Sequence, residues 1–184
     1  TKPITATLGA GAITGGTTTI IGTFSIAFTD DANFINTTAV DIFNDAQDQG
    51  LFSFTITPDK ENMTLTTLSI LHAGTGDPAD VSQIKLWLDA GAPDQFETGA
   101  DTLLGTINGF TGGVAAFAGL SQNLTVSVAA RFYVSYSYTT SLGNAGENHQ
   151  AVLDVSTVAG TGGTTGQALV LTGAPADTGG TLLT

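Results

Sequence analysis

Apolar and polar residues alternate with a period of two along most of this chain. Ile4, Ala6, Leu8 and Ala10 alternate with Thr5, Thr7 and Gly9. Phe24, Ile26 and Phe28 alternate with Ser25 and Ala27, and Phe52, Phe54 and Ile56 with Ser53 and Thr55. Ile84, Leu86 and Leu88 oppose Lys85 and Trp87; Leu124, Val126 and Val128 oppose Thr125 and Ser127. Phe132, Val134, Tyr136 and Tyr138 oppose Ser135 and Ser137. Each run predicts a half-buried strand with one face toward a core. Further strands are expected over 63–71, 102–107, 114–117, 150–155 and 168–171. Gly, Asn, Asp and Pro separate the runs at 74–78, 91–93, 112–113, 143–146 and 160–163, as turns require. Only 38–47 hints at a helical turn. About ten short strands with regular turn signals predict an all-β fold, a two-sheet antiparallel sandwich of jelly-roll or Ig-like type. Residues 1–16 form an extended arm in this reading. Residues 17–184 form one sandwich domain with a Gly/Thr-rich C-terminal tail.

Composition sharpens this picture. Charged residues are 11% of the 184, against about 25% in an average globular protein. The chain instead holds 24 Gly and 32 Thr, suited to turns and to pleated surfaces. Four Lys and Arg face 16 Asp and Glu, a formal net charge of −12. That balance argues against nucleic acid and anionic membrane surfaces as partners, which need clustered cations. It favours cations, above all calcium with its oxygen ligands. With no Cys, thiolate chemistry, disulfides and Cys-based zinc sites are excluded. No apolar run reaches the roughly 20 residues of a membrane span. The chain opens on Thr1 with no basic-plus-apolar leader, and reads either as a mature chain after signal cleavage or as a trimmed one. A secreted or cell-surface location is expected.

The densest chemistry lies in the loop 89–101, DAGAPDQFETGAD, between two predicted strands. It carries Asp89, Asp94, Glu97 and Asp101. Carboxylates this close repel one another unless a cation sits among them, and Gly91 and Gly99 permit tight turns that aim oxygens inward. Around this loop, residues 51–153 resemble a β-sandwich module of large bacterial and archaeal surface proteins. The resemblance rests on GTGDPADVSQIKLWLD (74–89), the loop itself, DTLLGT (101–106) and RFYVSYSY (131–138). Members carry a DxNxDG-like calcium loop here, so the resemblance implies calcium held by Asp89, Asp94, Glu97 and Asp101. Asp89 matches the first position; Asp94, Glu97 and Asp101 fall one residue late. The layout as a whole is also similar to camelysin-like biofilm fibre proteins and archaeal bundling pilins, in which each subunit donates its N-terminal strand to the next.

That similarity, together with the alternation of Ile4, Ala6, Leu8 and Ala10, leads to the main expectation: a non-enzymatic structural subunit of an extracellular filament. Copies of the chain would join head to tail by strand donation through 4–12, with calcium stiffening the loops. An ordinary first strand in its own sheet is the simpler account of the same residues. The alternative function is an adhesin or carbohydrate-binding sandwich module of a larger cell-surface protein. Asp30, Asp31, Asp41, Asp45 and Asp48 form a second acidic group without a ligand template, and Asp77 and Asp80 read as turn residues. His72 and His149, the two histidines, lie far apart in sequence with no nucleophile motif beside them. Trp87 and Tyr133 fall on the second faces of their strands, as packing or as interface anchors. Asn36, Asn62 and Asn123 open Asn-x-Ser/Thr sequons, about as many as chance provides.

Overall fold

The computed structural model describes residues 21–28, 40–41, 43–141, 143, 146–173 and 181–183. The expected arm 1–16, with Ile4, Ala6, Leu8 and Ala10, lies outside the described residues, as do Asn36, Asp30 and Asp31. Two sheets face each other, as the alternation predicts. The strands are β1 (Thr23–Phe28), β2 (Val40–Asp41), β3 (Gln49–Pro58), β4 (Met63–Gly74), β5 (Val81–Leu88) and β6 (Thr102–Ile107). They continue as β7 (Val114–Leu124), β8 (Ala130–Tyr138), β9 (Asn148–Gly162), β10 (Val170–Leu171) and β11 (Thr181–Leu183). One sheet has the order β10-β1-β3-β8-β5-β6 and the other β2-β11-β9-β4-β7. Pairing is antiparallel throughout the body. Parallel pairs occur at one edge of each sheet, β10 with β1 and β2 with β11.

The alternating residues build the core. Phe24, Ile26, Phe52, Phe54 and Ile56 of the first sheet and Leu65, Leu68, Ile70, Phe117 and Leu153 of the second are buried together. Phe54 stacks on Phe132 at 5.3 Å between ring centroids and lies 5.8 Å from Phe52. Strand β8 departs from the half-buried expectation. Its core side carries Phe132, Val134, Tyr136 and Tyr138, and its other side Tyr133, Ser135 and Ser137, all of them buried. The outer face of the first sheet is therefore covered as well. Asp48 reaches across it to Ser137 and pairs with Lys85 at 2.6 Å. Phe96 lies over Trp87 and Tyr133, at 5.7 and 5.4 Å. Trp87 Nε1 donates to Ser135 Oγ at 2.9 Å, so the second-face aromatics are buried in packing.

Two local expectations are corrected. The hint of helix over 38–47 is overturned: Val40–Asp41 is strand β2, and Asp45 takes a left-handed backbone angle that breaks a helix. The single helical turn among the described residues is a 3₁₀ turn at Pro78–Asp80. Its cap Asp77 accepts from Ala79 N, in keeping with the turn role expected for Asp77 and Asp80. The alternation of Leu124, Val126 and Val128 does not make a strand. β7 ends at Leu124, Ser127 has a φ of 62°, and Val128 is 53% exposed. The freed backbone donors find partners in a turn. Val126 N donates to Asn62 Oδ1, Ser127 N to Pro58 O and Val128 N to Thr125 O.

The Phe54 stack carries a prediction. Phe54→Ala will lower the unfolding free energy by about 3–5 kcal/mol, because it removes buried surface and leaves a cavity against Phe132. Val114→Ala, at an exposed edge, will change it by less than about 0.5 kcal/mol. Urea unfolding of the two variants checks the contrast.

Candidate functional site

The loop between β5 and β6 folds on its own backbone. Asp101 is 8% exposed and accepts three backbone N–H groups: Ala90 at 3.1 Å, Gly91 at 3.3 Å and Glu97 at 2.8 Å. Glu97 Oε2 accepts from Ala92 N at 2.8 Å, and Asp89 Oδ2 from Asp94 N at 3.0 Å. Asp94 sits at a φ of 60° and accepts Arg131 Nε at 2.7 Å. Each of the four carboxylates thus accepts from backbone amides or from one guanidinium. The four carboxylates face different donors. Among the described residues no group of three or more acidic or histidine side chains is arranged to hold a metal ion. In the second acidic group, Asp48 pairs with Lys85, and Asp45 takes a hydrogen bond from Gln47 Nε2 at 3.1 Å. Gly91 is required by close approach, since a Cβ there would lie 2.8 Å from Ala100 Cβ.

Stapled in this way, and pinned by Phe96 on Trp87 and Tyr133, the loop forms one wall of a cleft of about 460 Å³ at one end of the sandwich. Asp89, Pro93 and Asp94 come from the loop; Gln122, Asn123 and Thr125 come from the end of β7 and its turn. Thr55 and Arg131, paired across β3 and β8, form the polar part of the floor, and Leu88, Leu124 and Val128 the apolar part. Arg131 Nη1 also donates to Ser53 Oγ at 3.0 Å. Two of the expected site residues, Asp89 and Asp94, therefore line a cavity, while Glu97 and Asp101 hold its wall in shape. Of the sequons, Asn123 lines the cleft and accepts Thr64 Oγ1 at 2.9 Å, and Asn62 caps the turn beneath it. Arg131, Gln122 and Phe96 were not anticipated as site residues. Arg131 carried the one available signal, as one of only four cations in the chain. The cleft offers carboxylate, amide, hydroxyl and guanidinium groups above a small apolar patch, the mixture that binds hydroxylated ligands by hydrogen bonds.

At the opposite end the two histidines meet. His72 of β4 and His149 of β9 point into the core, with His72 Nε2 and His149 Nδ1 2.9 Å apart. Phe110 and Tyr138 pack edge-on against them at 5.3 and 5.4 Å. Burial holds both imidazoles below the ordinary histidine range. Sequence distance concealed this pair; the antiparallel β4–β9 register brings His72 opposite Ala151 and Gly74 opposite His149.

Comparisons with known proteins bear on architecture alone. No family model and no curated protein matches the chain. Among solved structures it is similar to the Hadza microbial sialidase Hz136, with a TM-score of 0.52 and 11% identity. That match covers 86% of this chain and 30% of the sialidase, and it shows the β-sandwich fold. Two weaker matches have TM-scores of 0.31 and 0.29. One is a GH31 CBM32-2 module bound to GalNAc, 14% identical over 67% of this chain and 91% of that one. The other is a family 123 glycoside hydrolase from Clostridium perfringens, 8% identical over 89% of this chain and 26% of that one.

Asp101 tests the origin of the wall. Asp101→Ala leaves three N–H groups without their acceptor and will destabilise the protein by about 3 kcal/mol. Asp101→Asn keeps one acceptor oxygen and will lose less. Chemical denaturation of the two variants measures the difference.

Proposed function

We propose that this chain is a non-enzymatic binding module of a larger cell-surface protein, and that the cleft between the acidic loop and the β7–β8 turn takes a carbohydrate. The cleft is the observation that carries this reading. It has the volume of a small-ligand site and is lined by Asp89, Asp94, Gln122, Asn123, Thr125 and Arg131 on a rigid strand framework. Sugar hydroxyls both donate and accept. Carboxylates suit their donors, and amides and a guanidinium suit their acceptors. A similar sandwich occupying a minor share of a long sialidase chain fits the idea of a module within a larger protein. The strongly acidic balance suits a surface module.

A second reading is favoured by one feature. Among the described residues strand β7 ends its sheet, and over Val114–Leu124 only a register break near Gly119 guards the edge, with no Lys, Arg, Asp, Glu or Pro. Such an edge suits strand addition by another copy, as in a filament built through Ile4, Ala6, Leu8 and Ala10.

An immobilised oligosaccharide panel, probed with the purified chain, tests the main reading. A retained glycan will bind about tenfold more weakly, about 1.4 kcal/mol, to Gln122→Ala, and unchanged to Lys60→Ala, which lies outside the cleft. Retention of no glycan, or retention insensitive to Gln122, overturns it. Electron microscopy showing filaments that vanish on removing residues 1–16 moves the assignment to the second reading.

A further inference from the structure

The histidine pair at the end of the sandwich away from the cleft has a property that its packing does not explain. His149 is 0% exposed, and its Nε2 has no hydrogen-bond partner among the described residues. That nitrogen points toward Asp80 Oδ2 across 3.9 Å, too far for a hydrogen bond. Gly76 closes over the imidazole so tightly that a Cβ there would lie 2.5 Å from Cε1 and Nε2.

Two loops are fastened beside the pair by bonds that do not involve the imidazoles. Thr75 N and Gly76 N donate to Asn148 O, next to His149, at 3.1 and 2.9 Å. Gly143 N donates to Asp80 Oδ2 at 3.0 Å. We propose that His72 and His149 form an acid-opened latch: protonation of both rings parts them and releases residues 75–80, 143 and 146–149 from the end of the sandwich.

The proton inventory sets the mechanism. We assign the shared hydrogen of the neutral pair to His72 Nε2, donating to His149 Nδ1, because the His149 hydrogen then sits on Nε2 and faces the Asp80 carboxylate. A first added proton goes to Nδ1 of half-buried His72 and leaves the bond intact. A second has only His149 Nδ1 to occupy. There it sets two N–H groups face to face at 2.9 Å and places a second cation beside the first, so the rings separate.

The groups facing the pair are Asp77 and Asp80 on the 3₁₀ turn, Glu147 on the approach to β9, and Tyr138 with Tyr136 on β8. Burial raises both tyrosines above their ordinary range, so they stay neutral and offer the charge no anion. In the closed state these three carboxylates favour the imidazolium, but the cost of burial outweighs them.

The sign follows from the lowered imidazoles. Below pH 6.5 the unfolded chain binds more protons than the folded one. The stability the pair provides is present above that pH and is lost as the pH falls.

Amide hydrogen exchange of the full chain at pH 7.5 and 5.0, corrected for the intrinsic pH dependence of exchange, tests the latch. Protection at Thr75, Gly76 and Gly143 will fall about tenfold more than at Phe54 and Phe132, the equivalent of one pK unit. His149→Phe will abolish that difference. Should it fail to fold, His72→Phe, at the half-buried position, removes the same bond and serves in its place. In an imidazole NMR titration of the native chain, the two rings will titrate in two coupled steps below pH 6.5. Equal loss of protection at all sites, the same local loss in the variant, or two independent titrations near 6.5 would overturn the proposal.

Discussion

Strand β8 has no free face, and most of the architecture follows from that. Its backbone is paired on both edges, with β3 and β5, and both rows of its side chains are buried. The inner row is aromatic and apolar and packs against the second sheet. The outer row, Tyr133, Ser135 and Ser137, contains hydroxyls that lose water on burial and therefore need partners. Trp87 Nε1 serves Ser135, and Asp48 serves Ser137 while pairing with Lys85. Phe96 covers the Trp87–Tyr133 surface. The cover is thus a requirement of β8, and the cleft exists because the covering loop returns toward β6 past the start of β8 without filling the space above Arg131.

This dependence also explains what the sequence made legible. Period-two alternation of large apolar residues located β1, β3, β5 and β8 within a few residues, because those side chains pack on one side of a pleat whatever covers the other. The same rule failed at Leu124, Val126 and Val128. Alternation is blind to a nearby carbonyl or amide oxygen, and here Asn62 and Pro58 take the backbone donors that a ladder would have used. The serines of β8 misled in the opposite way. Small polar residues on an alternate row signal exposure in general, yet here they are small enough to lie under a lid. As for the site, the sequence marked Asp89, Asp94, Glu97 and Asp101 as a group but gave no means of separating the two that line a cavity from the two that shape its wall. That division depends on which backbone amides point inward.

A chain with 16 acidic and only four basic residues cannot neutralise its carboxylates by ion pairing. Among the described residues, Lys60, Lys85 and Arg131 each pair with an aspartate. Most remaining carboxylates serve as loop fasteners instead. Asp101, Glu97 and Asp89 hold the β5–β6 loop, Asp77 caps the 3₁₀ turn, and Asp154 binds the Ser156 N–H and hydroxyl. Glu61 takes Thr164 N, Thr165 N and the Thr165 hydroxyl. That hydroxyl first, and the backbone donors with it, hold the Glu61 carboxyl below its usual range. Backbone N–H groups at loop turns must find acceptors somewhere. An anion is a stronger acceptor than a carbonyl, so a chain poor in both cations and Cys fixes its loops with the charge it has in excess.

The two ends of the sandwich use that surplus differently. At the cleft end, Asp101, Glu97 and Asp89 accept amide hydrogens, and Arg131 answers Asp94, so the carboxylates are satisfied and the wall has one geometry. At the histidine end, Asp80 accepts Gly143 N but stops short of His149, and the buried imidazole nitrogen is left facing an anion with no bond between them. A site that must present fixed hydrogen-bonding groups to a ligand needs the first arrangement, since strain there would blur the positions of its donors and acceptors. A polar contact left unmade in the low-dielectric interior is costly, and its cost changes with the charge of the group that makes it. The excess of acid thus stiffens one end of the fold and leaves the other responsive to protons.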